Sequence, residues 1–126
     1  MRVFLGGTCN GSTWRDDLIP LLEVDYFNPV VKNWTPECQA EEIRQRETCD
    51  AILYTIDQAG NVYSIAEVVD DSNKRPEKTV FCLLSYNFTA AQAKHMKAVA
   101  DLVARNGGTI VSSLEEAAAV LNARAA

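Results

Sequence analysis

The segment Ala51-Ile52-Leu53-Tyr54-Thr55-Ile56-Asp57 constrains the fold of this chain most, because until its last residue it offers no charge and no polar face to turn towards water. Its aliphatic, aromatic and β-branched side chains predict a strand buried on both faces. Strands of that kind belong to parallel sheets covered by helices on either side. The connections between them must then be long enough to cross over, so helices are expected between strands.

The rest of the chain agrees. Arg2-Val3-Phe4-Leu5 reads as a first strand broken by Gly6-Gly7, and Val24-Asp25-Tyr26-Phe27 as a second ended by Asn28-Pro29. Thr79-Val80-Phe81-Cys82-Leu83-Leu84 is a fourth and Thr109-Ile110-Val111 a short fifth. Helix signals fall between them. Ser12 or Thr13 caps a helix through about Leu22, and Thr35-Pro36 opens a charged helix through about Thr48. A helix carrying Glu67 follows the third strand. Thr89 with Gln92 makes a capping box for a helix that stops at Arg105, before Asn106-Gly107-Gly108. Ser113 with Glu116 caps a last, alanine-rich helix whose end is expected to fray. Five strands alternating with five helices predict a three-layer α/β/α sandwich around a five-stranded parallel sheet, flavodoxin-like or Rossmann-like, with right-handed crossovers.

At 126 residues, 48% of them hydrophobic, the chain suits a single domain spanning 1–126. Its net charge of -5, with twelve Lys and Arg residues dispersed, supplies no basic footprint, so nucleic acid is not an expected partner. No apolar stretch is long enough to cross a bilayer and no secretory signal opens the chain, so no membrane partner is expected either. Cys9, Cys38, Cys49 and Cys82 lack C-x-x-C spacing and read as reduced thiols of a cytoplasmic protein. His95, the only histidine, lies between Lys94 and Lys97 on a helix expected to be exposed, which argues against a catalytic triad or a histidine-based zinc site. No cofactor or metal is expected.

Chemistry is expected beyond the carboxyl ends of the strands, where ligands bind in open parallel sheets. Asp57 ends the third strand there, and Glu67 lies on the first turns of the next helix. Tyr63, Glu67 and Asp71 share a stripe at i, i+4 and i+8, while Val62, Ile65, Ala66 and Val69 form the face expected to meet the sheet. Burial would raise the pKa of Glu67 and the helix N-terminus would lower it, and the sequence leaves that contest open. The competing reading makes Glu67, Asp70 and Asp71 a solvated face. Arg44 and Arg46, among Glu41, Glu42 and Glu47, read as surface charges. The turn Gly6-Gly7-Thr8-Cys9-Asn10-Gly11-Ser12 either brings backbone N–H groups close to a ligand or only makes a tight turn, since it matches neither G-x-G-x-x-G nor a P-loop. Trp14 and Trp34 either stack on a ligand ring or fill apolar space.

The opening Val3-Phe4-Leu5-Gly6-Gly7-Thr8, the stretch Leu53 to Asp57 and the run Gly60 to Glu67 together resemble the short branch of the nucleoside 2-deoxyribosyltransferase family. Trp14-Arg15, Tyr26-Phe27-Asn28-Pro29-Val30-Val31, Trp34 and Cys49-Asp50 extend the resemblance over roughly residues 3 to 84. It implies that Glu67 is the nucleophile and that the acid assisting the base is Asp57, or is replaced by Thr55. It also implies that a nucleoside or nucleotide is held by Gly6, Gly7, Thr8, Trp14, Asn28, Thr55, Asn61, Tyr63 and Ser64. Sites in this family are completed by a neighbouring subunit, so a homo-oligomer is implied, with Tyr86-Asn87-Phe88 as the candidate contribution. The implied reaction moves 2-deoxyribose between bases through a covalent glycosyl-glutamate. Hydrolysis is the near alternative, and a non-catalytic sensing module the distant one. The chain departs from the family at Asn61, where an aspartate is usual, and at Val69, where a glycine is.

Overall fold

The computed structural model describes residues 1–126. Its strands are β1 (Arg2–Gly7), β2 (Asp25–Phe27), β3 (Ala51–Ile56), β4 (Thr79–Leu83) and β5 (Thr109–Val111). Its α-helices are α1 (Trp14–Leu18), α2 (Pro36–Thr48), α3 (Val62–Lys74), α4 (Ala90–Arg105) and α5 (Leu114–Ala125). The strands lie in the order β2-β1-β3-β4-β5 and every neighbouring pair is parallel. The expected three-layer sandwich is therefore present, in its flavodoxin-like strand order.

Alternation along each strand divides the core into two layers. On one face Val3, Leu5, Leu53, Val80 and Cys82 meet Trp14 and Leu18 of α1 and Ala117 and Leu121 of α5. On the other, Phe4, Ile52, Tyr54 and Phe81 meet Val68 of α3 and Ala100 and Val103 of α4. β3 is buried at every position, as its composition requires. The helix boundaries follow local chemistry: the Thr35 side chain accepts from the Cys38 N–H with Pro36 at the first position, and Thr89 and Gln92 form both halves of their capping box.

Three expectations are corrected. The first helix stops at Leu18 and continues only as a 3₁₀ turn, Ile19–Leu21, because Pro20 has no N–H with which to extend an α-helix. Val24 lies outside β2. The sheet-facing stripe of α3 is Ile65, Val68, Val69 and Ser72, while Ala66 is exposed and Val62, at the first position, is 78% exposed beside an open cavity. No helix is long and apolar enough to cross a membrane.

Candidate functional site

With β2 on one side of β1 and β3 on the other, the chain leaves the sheet in opposite directions after β1 and β3, which opens a crevice at their carboxyl ends. Glycine makes the approach of these strands possible. A Cβ on Gly6 would stand 2.6 Å from Tyr54 Cε1, and one on Gly7, whose φ is +119°, would run into the Thr55 carbonyl. The Thr8 N–H then donates to the Thr55 carbonyl at 3.0 Å, and the Asp57 N–H to Thr8 Oγ1 at 3.2 Å. The glycine turn is thus required by strand packing and also forms a wall of the crevice.

The cavity there has a volume of about 280 Å³, close to the lower end of small-molecule sites. β1 and its turn supply Phe4, Gly6, Gly7 and Cys9, α1 supplies Arg15, and the segment after β2 supplies Pro29 and Trp34. Glu42 comes from α2, and Tyr63, Ser64 and Glu67 from α3. Of the candidate ligand-contacting residues named from sequence, six therefore meet in one cavity: Gly6, Gly7, Trp34, Tyr63, Ser64 and Glu67.

The others go elsewhere. Asn28 lines an adjoining cavity that shares Pro29 and Glu42, and its Oδ1 accepts from the Val30 N–H. Asn61 lines a separate cavity with Gln92, His95 and Met96, where its amide donates to the Gln58 carbonyl at 2.9 Å. Thr55 is fully buried opposite Cys82 of β4. Thr8 is buried beneath the turn it braces. Trp14 is 1% exposed in the core, so the expectation that it stacks on a ligand is corrected: its indole N–H donates to the Thr8 carbonyl at 2.8 Å. Asp57 is buried outside the Glu67 cavity, with Oδ2 accepting from the Ser12 hydroxyl and Oδ1 unpartnered.

Arg15 serves the same turn. Its guanidinium donates to the Leu5 carbonyl at 2.9 and 3.1 Å and to the Thr8 carbonyl at 2.7 Å, with its cationic carbon 4.3 Å from the Trp14 ring centroid.

Glu67 is held by a buried charge cluster. Its Oε2 lies 3.4 Å from Arg46 Nη1, and the two side chains are only 13% and 10% exposed. Arg46 also reaches Asp71 at 3.0 and 3.1 Å and Asp70 at 3.1 Å. Asp71, fully buried, accepts further bonds from Tyr54 Oη at 2.7 Å and from Arg75 at 3.1 Å. The expectation of surface charge holds for Arg44, 57% exposed, and is corrected for Arg46 and Asp71. Arg46 is the hub that fastens α2 to α3, and Asp71 is core. Burial raises the pKa of Glu67 to about 7, against the pull of Arg46 and with the push of Glu42, Asp71 and Asp70. Burial also raises Glu42, with Trp34, Arg46 and Arg15 opposing.

Sequence reasoning missed Glu42 and Arg46. Both lie on α2 among other charges, and only their spacing of one helical turn on a common face hinted that they act together.

Residues 1–86 match the family model described as nucleoside 2-deoxyribosyltransferase like. That span takes in β1 to β4 and every residue lining the Glu67 cavity. None of the curated proteins compared with the chain matches it.

Proposed function

Because the chain belongs to the nucleoside 2-deoxyribosyltransferase-like family, we propose that it cleaves the N-glycosidic bond of a deoxynucleoside or deoxynucleotide, with Glu67 as nucleophile, and passes the sugar to a second base. The observation that carries this reading is the Glu67 carboxyl itself, nearly buried on a cavity wall with the Arg46 guanidinium 3.4 Å away. A carboxylate so placed suits the reaction. N-glycosides break through an oxocarbenium-like transition state, and an ionised carboxylate on the opposite side of the sugar both stabilises that cation and captures it as an ester at the anomeric carbon. A pKa near 7 leaves a large ionised fraction at neutral pH. Arg46 favours that form.

Trp34, 57% exposed at the cavity, offers a face for the base, and Gly6, Gly7, Tyr63 and Ser64 surround the sugar. If water replaces the second base, the same groups hydrolyse the nucleoside. Neither course calls on a metal or a cofactor. A second copy is the proposed cover for Val30 and Val31, each 47% exposed in the segment after β2. Both core layers lie on one sheet, which supports reading residues 1–126 as a single domain.

The test is incubation with each deoxynucleoside, with and without a second base, followed by chromatography. Base exchange is the expected result, and free sugar alone would identify a hydrolase. Glu67→Ala should abolish turnover with the fold retained. Binding without turnover in the unaltered protein would identify a sensing module, and full activity in the Ala variant would remove Glu67 from the mechanism.

A further inference from the structure

The departing base in the proposed reaction carries off an electron pair and needs a proton, so the site requires an acid as well as a nucleophile. Two carboxyls line the cavity, Glu67 from α3 and Glu42 from α2. Asp57 does not line it, and its Oδ2 is engaged by Ser12. Glu42 also borders the adjoining cavity with Asn28, so it stands where the two spaces meet, on the side of the crevice that carries Pro29 and Trp34. That is the end where an aromatic ring would sit against an indole.

Resting on Glu67 as nucleophile, we infer that Glu42 is the general acid and base of the reaction, donating its proton to the ring nitrogen of the leaving base and recovering one from the acceptor. In the first step the bond from the anomeric carbon to nitrogen breaks, its electron pair passes to nitrogen, and the Glu42 proton follows. A bond forms between a Glu67 oxygen and the anomeric carbon. In the second step Glu42, now ionised, takes a proton from the N–H of the incoming base or from water as that atom displaces Glu67.

The charges around Glu42 fit this division. Glu67 lines the same cavity, Arg15 and Arg46 act on Glu42, and Glu37 and Glu41 share its second cavity. Burial favours the protonated form of Glu42. Arg46, 3.4 Å from Glu67, favours the ionised form of that carboxyl.

The experiment compares two substrates, an ordinary purine deoxynucleoside and its 7-methyl derivative, whose cationic base departs without taking up a proton. Glu42→Gln should lose about 100-fold or more in kcat on the ordinary substrate and less than about tenfold on the methylated one. The basic limb of its pH profile should disappear. Turnover of the methylated substrate also reports that the variant is folded, and Glu42→Asp should recover part of the ordinary activity. Equal losses on both substrates, or ordinary activity within tenfold of the unaltered protein, would overturn the assignment. If the unaltered protein turns over neither substrate, or Glu67→Ala turns over both, the Glu67 reading fails instead.

Discussion

Replacing Arg46 with methionine tests whether the charge cluster beneath the site is structural as well as electrostatic. The guanidinium is 10% exposed and makes two hydrogen bonds to Asp71, whose side chain is fully buried. Removing one partner of a buried ion pair costs about 3–5 kcal/mol, because the remaining charge stays desolvated without compensation. Asp71 would keep Tyr54 at 2.7 Å and Arg75 at 3.1 Å, which places the loss at the low end, about 3 kcal/mol. For a chain of this length that corresponds to a fall in Tm of roughly 10–15 °C. Urea unfolding followed by circular dichroism measures it, with an unchanged slope as the sign that the loss belongs to the folded state. Arg46→Met combined with Asp71→Asn should cost at least about 1 kcal/mol less than the sum of the two single changes. A single-variant loss under about 1 kcal/mol, or strict additivity, would refute the reasoning. The same change removes the group that lowers the Glu67 pKa, so the acid limb of any activity profile should move to higher pH.

Three further outcomes are expected. The folded-state pKa of Glu67, about 7, lies above its ordinary value of 4.5, so the unfolded chain releases this proton first and stability falls as pH rises between those values; Glu67→Gln should flatten that slope in unfolding measured from pH 4 to 8. Gly7→Ala forces a non-glycine residue to φ +119° and drives its Cβ into the Thr55 carbonyl, so it should cost about 3 kcal/mol or more, read as a lower urea midpoint. Trp34→Ala should leave stability within about 0.5 kcal/mol, since the ring is 57% exposed, yet raise KM about tenfold through lost stacking on the base. Unchanged KM would take Trp34 out of the base site.

The fold was legible because its signals are local and redundant. β3 has no polar face to misread, and the caps at Thr35, Thr89 and Ser113 mark their helices through contacts within four residues. The lining of the Glu67 cavity was legible where position along a strand or helix decides it, as for Gly6, Gly7, Tyr63, Ser64 and Glu67. It was illegible where partners are distant in sequence. Arg46 and Asp71 are 25 residues apart, and each taken alone is one more charge on a charged helix. Trp14 misled for the converse reason: an aromatic beside a ligand turn reads the same whether it faces the cavity or, as here, the core.

Glu42 and Arg46 stand one turn apart on α2, and both act on the same α3 carboxyl, one by its charge and one by contact. The proposed proton donor and the countercharge of Glu67 are therefore mounted on a single rod. Any ligand, subunit or substitution that tilts this rod alters both at once, so the two functions can be retuned together but not separately by moving the helix. An engineer who wishes to change the pH of operation without weakening the nucleophile must work at side chains around Glu42, such as Trp34, and leave the angle of α2 untouched.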